Sequence, residues 1–132
     1  MHPSEIQCRG YYYLASPYSS PSAVERQFRA ALALDYQADL IQAGLYIYSP
    51  IGSIHQLAER HSLNKDYKHW SDFNKIFIMQ SAGMIIAKMN GWEESEGVYH
   101  EIILCERLNK KIYTFDRSIM SVAPYGEAED VA

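Results

Sequence analysis

The stretch Asn90-Gly91-Trp92-Glu93-Glu94-Ser95-Glu96-Gly97-Val98-Tyr99-His100-Glu101 brings together residue types that can do chemistry. It joins an apolar run, Met84 to Met89, to an amphipathic run, Val98 to Leu108. That order reads as strand, polar loop, helix. In an open α/β sheet, the loop beyond a strand's carboxyl end is where ligands bind. Glu101 falls about one turn into the helix, on the side that faces the loop. A carboxylate there serves as a nucleophile or a base; its bland counterpart is a solvated helix glutamate, which describes most glutamates. Ser95 and Gly97 stand at the helix N-terminus, where free N–H groups hold anions and a glycine lets a ligand approach the backbone. Glu93, Glu94 and Glu96 complement the helix dipole.

A second junction of this kind, Ser16-Pro17-Tyr18-Ser19-Ser20-Pro21, follows the aromatic run Tyr11–Ala15. The hydroxyls of Ser16 and Ser19 and nearby N–H groups suit a phosphate or a sugar hydroxyl, and they equally suit ordinary turn chemistry. Neither a P-loop nor a dinucleotide fingerprint is present, because the glycines and the Lys-Ser/Thr ending are missing. His55, His61 and His69 lack the spacing of a zinc helix, so no metal and no cofactor are expected. His55 follows a strand end and reads either as pocket lining or as a packing histidine. Trp92 has a structural reading, and a second one as the wall of a base-sized cleft. Tyr11, Tyr12 and Tyr13 alternate across a strand: one face belongs to the core and the other can offer a hydroxyl.

The elements that position these residues follow from periodicity. Tyr11–Ala15 reads as the first strand. Ser22, with Glu25 three residues on, forms a capping box for a helix over 23–43, in which Phe28, Ala31, Leu32, Leu34, Ala38 and Ile41 recur at helical spacing and Gly44 provides the stop. Leu45–Ser49 is the second strand, ended by Pro50. Residues 52–63 read as a loop with a short helix, and a long helix is expected from about Asp66 to Gln80. Met84–Met89, then the central loop and its helix to about Asn109, then Lys110–Phe115 complete the pattern. The predicted fold is α/β: a small doubly wound, Rossmann-like parallel sheet of about four to five strands flanked by helices. The expected organisation is an arm over 1–10, one domain over 11–116 and a weakly patterned tail over 117–132.

The 132 residues suffice for one buried core, and the net charge of -4 argues against a polymeric nucleic-acid partner. Cys8 and Cys105 have no metal-ligand spacing and read as reduced thiols. No apolar run approaches the roughly 20 residues of a membrane span, and no signal-peptide core is seen at the start. A cytoplasmic protein with no membrane association is expected.

Tyr12-Tyr13-Leu14-Ala15-Ser16-Pro17-Tyr18-Ser19, then Tyr48-Ser49-Pro50-Ile51 with His55, then Gly91-Trp92-Glu93-Glu94-Ser95-Glu96-Gly97-Val98 ending at Glu101, resemble the DUF1937 family over roughly residues 11–115. That family in turn resembles the nucleoside 2-deoxyribosyltransferase superfamily, which includes the 2′-deoxynucleoside 5′-phosphate N-hydrolases. The resemblance implies a (deoxy)nucleoside or nucleoside 5′-monophosphate substrate, with cleavage or transfer of the N-glycosidic bond through a covalent glycosyl-enzyme. Glu101 matches the nucleophile, Tyr12 the tyrosine that orients it, and Ser16 and Ser95 the phosphate-gripping serines. Tyr18, Ser19, His55, Trp92 and Gly97 complete the implied binding set. The resemblance also implies a homodimer or higher homo-oligomer, with the helix from Ala23 and the serines Ser118 and Ser121 as candidate contacts. Two positions depart from the pattern. Asn74 stands where the superfamily has an aspartate that helps protonate the leaving base, and Asp72 lies about 200° away around a helix. Tyr18 stands where the phosphohydrolases carry an arginine, with Arg26 and Arg29 on the following helix as candidate substitutes. Asn74 keeps open a different class of function: a nucleotide-binding or sensor module without turnover.

Overall fold

The computed structural model describes residues 1–7, 9–61 and 67–126, with the side chains of 67 and 68 left aside. Nine regular elements follow in order: β1 (Tyr11–Ala15), α1 (Ala23–Gln42), β2 (Tyr46–Tyr48), α2 (Pro50–His61), α3 (Tyr67–Gln80), β3 (Gly83–Ala87), α4 (Glu96–Arg107), β4 (Lys111–Asp116) and β5 (Ser121–Pro124). They build a five-stranded sheet of order β2-β1-β3-β4-β5. β1 runs parallel to both β2 and β3, β3 runs parallel to β4, and β5 pairs antiparallel with β4 at the edge. The fold class is as the alternation predicts. The crossover from β2 to β3 passes over β1, so the winding reverses between β1 and β3. Such a reversal opens a crevice at the strands' carboxyl ends.

Alternation along each strand divides the core into two layers. Tyr12, Leu14, Ile85, Ala87 and Phe115 face Tyr36 and Leu40 of α1. Tyr13, Ala15, Met84 and Ile86 face Ile78 of α3 and Val98, Ile102 and Cys105 of α4. The central strand β3 is buried at all five positions. The tight point is Gly83, where an added Cβ would lie 2.6 Å from the Lys111 carbonyl oxygen and 2.8 Å from the Tyr12 ring. That oxygen belongs to the backbone of the first β3–β4 pair, Gly83 with Lys111, and cannot swing away as a side chain could. Gly83→Ala is therefore expected to destabilise the fold by about 3 kcal/mol, at the upper end of overpacking costs. Urea unfolding would show this as a lower midpoint with an unchanged slope.

The cap residues stand where expected, but the capping box at α1 is half made: the Ser22 N–H donates to Ser20 Oγ at 3.1 Å, and the Glu25 carboxylate pairs with Arg29 instead. The Ser22 side chain accepts from the Glu25 N–H, and Ser95 caps α4 by accepting from Val98. Gly44 takes the left-handed φ of 102° that ends α1.

Three expectations are corrected. Residues from 50 to 61 form one 12-residue helix rather than a loop with a short helix; residues 62–66, including the expected helix start at Asp66, lie outside the described residues. The sequence carries the signal: Ser49 Oγ accepts from the Gly52 N–H at 3.1 Å, and Pro50 occupies the first helical position, where its missing donor costs nothing. The tail contributes β5, in which only Val122 is buried, so one inward residue leaves almost no alternation to read. Finally, α1 buries Ala30, Ala33, Tyr36 and Leu40, whereas Phe28, Leu34 and Ile41 of the expected apolar series are exposed and Leu32 packs against the core edge. The helix carries two apolar stripes, each with two alanines, and the sheet takes the one that also carries Tyr36 and Leu40.

Among the described residues, no helix is long and apolar enough to cross a membrane. Cys105 is a free, buried thiol, and Cys8 lies outside the described residues.

Candidate active site

The loops after β1 and β3 meet above the carboxyl edge of the sheet, beside α2. Together with α3 and α4 they line a cleft of about 1530 Å³. That exceeds the roughly 300–1,000 Å³ of an enclosed small-ligand pocket, so the site is open on one side. The β1–α1 loop contributes Ser16, Tyr18 and Ser19, and α2 contributes Pro50, Ile51 and His55. α3 presents Ser71, Asn74, Lys75 and Ile78, and α4 presents Gly97, His100, Glu101 and Leu104. Each set of four has the spacing i, i+3, i+4, i+7 that marks one helix face.

Glu101 sits where the cleft meets the core. The inward stripe Val98, Ile102 and Cys105 seats α4 on the sheet, and Glu101 flanks that stripe. One carboxylate oxygen, Oε2, accepts from the Tyr13 hydroxyl. Burial raises the Glu101 pKa to about 7, and the Tyr13 hydrogen bond opposes the rise. Burial, with the nearby Glu101 charge, also lifts the Tyr13 hydroxyl well above its ordinary range, so Tyr13 remains a neutral donor. A desolvated carboxylate in a cleft, poised near neutrality, marks a functional-site candidate.

Tyr12 does not hold this position, which corrects the expected orienting partner. It points to the opposite layer, packed against Tyr113 and over Gly83, because adjacent strand residues face opposite ways. The alternation of the three tyrosines announces that one side offers a hydroxyl, but the strand's phase is set by the sheet. Trp92 is likewise corrected: it packs against the Tyr13–Val98 layer and does not line the cleft.

Ser16, Tyr18, Ser19, His55, Asn74, Ser95, Gly97 and Glu101 all line the cleft. Ser16 Oγ and Asn74 Oδ1 are buried without a hydrogen-bond partner among the described residues. Buried polar atoms are normally satisfied, so these two are placed to receive a ligand's polar groups: Oδ1 takes a donor, and a serine hydroxyl takes either role. Tyr18 and His55 form a pair, with the hydroxyl 2.6 Å from Nδ1. Burial raises the Tyr18 pKa, with Glu59 adding to the rise and Arg26 opposing it. Gly97 has room: a Cβ there would meet only Ser95 Oγ, at 3.8 Å.

Several lining residues went unassigned in the sequence: Trp70, Lys75, His100 and Arg107. Helical steps reach them: Trp70 lies four residues before Asn74, Lys75 four after Ser71, His100 three after Gly97, and Arg107 three after Leu104. Arg26 and Arg29 also line the cleft while bracing its first loop, donating to the carbonyls of Ser20 at 2.7 Å and Ser19 at 2.8 Å. Arg29 also pairs with Glu25 at 3.0 Å. It reaches the third-strand loop as well, since a Cβ at Gly91 would fall 2.9 Å from its Nη2.

The family model for a domain of unknown function, DUF1937, matches residues 10–117. The chain belongs to the DUF1937 family. No curated protein matches it. The DUF1937 segment contains every residue that lines the cleft, and β5 lies beyond it.

Proposed function

We propose that this DUF1937 protein cleaves or transfers the N-glycosidic bond of a (deoxy)nucleoside or nucleoside 5′-monophosphate, with Glu101 as the nucleophile. The observation that carries the reading is the Glu101 carboxylate, desolvated and held by Tyr13 at the base of a cleft walled by the loops after β1 and β3 and by α2, α3 and α4. A Glu101 oxygen attacks C1′, the C1′–N bond breaks, and its electron pair leaves with the base. Water, or the nitrogen of a second base, then attacks C1′ and frees the carboxylate. Two displacements replace one harder step, and the transition states have oxocarbenium character. Ser16, just after β1, and Ser95, at the N-terminus of α4, grip the 5′ end, and Asn74 accepts from a sugar hydroxyl. The departing nitrogen needs a proton, which Asn74 cannot give at neutral pH; His55, paired with Tyr18, and His100 are the imidazoles that line the cleft.

The site requires ionised Glu101, so kcat/KM rises with pH up to about 7. Tyr13→Phe removes the donor that favours the carboxylate. The acid limb is then expected to move to higher pH, with activity below it reduced by about 10- to 100-fold, the worth of a charged hydrogen bond. Tyr12→Phe is expected to leave the limb in place. A pH–rate profile of both variants separates the two tyrosines.

Asn74 favours a second reading, a nucleotide-binding module without turnover. Chromatographic detection of free base decides between them. The protein is incubated with deoxynucleosides, their 5′-monophosphates and the ribo counterparts, with and without an acceptor base. Base release supports the enzyme. A thermal shift with nucleotide and no base release supports the module.

A further inference from the structure

The cations at the 5′ end of the cleft are already engaged. Arg26 donates from Nη1 to the Ser20 carbonyl at 2.7 Å and lies 3.9 Å from the Glu59 carboxylate. Arg29 donates from Nη1 to the Ser19 carbonyl at 2.8 Å and pairs through Nη2 with Glu25 at 3.0 Å. Each guanidinium braces the β1–α1 loop and is matched by a carboxylate of its own. The start of α4 is acidic by contrast. Glu94 and Glu96 flank Ser95 and line the cleft with it, and neither has an ion-pair partner among the described residues. The Val98 N–H there already goes to Ser95 Oγ at 3.2 Å. The other cations of the cleft, Lys75 and Arg107, stand on α3 and in the last turn of α4. Arg107 is ten residues beyond Gly97, roughly 15 Å along the helix.

The same end holds a hydroxyl with nothing to bond. Ser16 is 6% exposed, and its Oγ has no hydrogen-bond partner among the described residues. A neutral alcohol satisfies it, by giving one hydrogen bond or by taking one. A phosphate dianion fits poorly. It would leave water for a place where its oxygens meet a serine and two unpaired carboxylates, and a charge taken out of water must be paired. Repulsion between like charges also grows as water is excluded. We propose that Glu94 and Glu96 are specificity residues that turn away a 5′-phosphate, so that the site takes nucleosides with a free 5′-hydroxyl, which Ser16 receives. This rests on the cleft's being a nucleoside site and narrows it: the 5′ end is read as an alcohol and not as an anion. An added Cβ at Gly97 would meet only Ser95 Oγ, at 3.8 Å, so space remains there and the rejection is by charge.

Calorimetric affinities on the full chain test this. Deoxynucleosides, their 5′-monophosphates and their 5′-deoxy analogues are titrated into Glu101→Gln, which holds each ligand unturned, and far-UV circular dichroism verifies the folding of every variant. Each nucleoside is expected to bind at least about 10-fold tighter than its 5′-monophosphate at low salt, and the ratio is expected to shrink toward 1 M salt, where the screening length falls to about 3 Å. Adding Glu94→Gln with Glu96→Gln is expected to lower the ratio by about 10-fold. A purely structural role for these glutamates would change both affinities together and leave the ratio alone. Loss of the ligand's 5′-hydroxyl is expected to weaken binding by about 5- to 10-fold, and to cost almost nothing once Ser16→Ala is added. A 5′-monophosphate that binds as tightly as its nucleoside, a ratio that neither salt nor the glutamate substitutions move, or a 5′-hydroxyl effect that survives Ser16→Ala would overturn the proposal. Each of these leaves the nucleoside reading and Glu101 in place; if no nucleoside and no nucleotide binds, both fall together.

Discussion

Glu101→Gln is expected to lower base release by at least about 1,000-fold, the scale on which a covalent nucleophile is lost. The amide keeps the size of the side chain and can still accept from Tyr13, but it cannot form and release a glycosyl ester. Binding should survive, because the groups that grip the sugar and the 5′ end, Ser16, Asn74 and Ser95, lie on other elements or at the start of α4. The thermal shift with nucleotide is therefore retained while turnover disappears. A variant with full activity would remove Glu101 from the chemistry.

The same substitution is expected to stabilise the protein, and only above acid pH. The Glu101 pKa is raised from 4.5 to about 7, first by burial. Between those values the folded state binds more protons than the unfolded state, so stability falls as pH rises through that window and levels off above about 7. Ionising the buried carboxylate costs no more than about 3 kcal/mol. Glutamine carries no such charge. The melting temperatures of wild type and Glu101→Gln should nearly coincide at pH 4 and separate by several degrees at pH 8, with the variant higher. A difference that does not change with pH would mean that Glu101 is solvated. The trade is the one expected where a site holds a charge that packing alone disfavours.

These effects rest on features that differ in how far the sequence shows them. Strand, loop and helix around Glu101 are legible because an apolar run, a cap and an amphipathic run follow one another directly. The choice between Tyr12 and Tyr13 is not, because a one-residue change of phase exchanges every side chain between the two faces. Both faces of β1 are buried, so hydrophobicity gives no clue to phase; pairing with Gly83 gives Tyr12 its place and leaves Tyr13 for Glu101. α1 illustrates the converse difficulty. The stripe that periodicity finds first, with Phe28, Leu34 and Ile41, stays exposed, and the sheet takes Ala30, Ala33, Tyr36 and Leu40 instead. In the cleft, Trp92 illustrates a third limit: a loop aromatic suggests a base-stacking wall, but the apolar layer beside Tyr13 claims it.

Intact-protein mass spectrometry after rapid acid quench tests the central claim most directly. The protein is mixed with the substrate that releases base fastest and quenched within the first turnover, and its peptides are then mapped. A mass increase equal to one sugar unit, on the peptide that contains Glu101 and absent from Glu101→Gln, is the predicted result. Free base accumulating with no change in protein mass, or an adduct on another residue, would contradict the account.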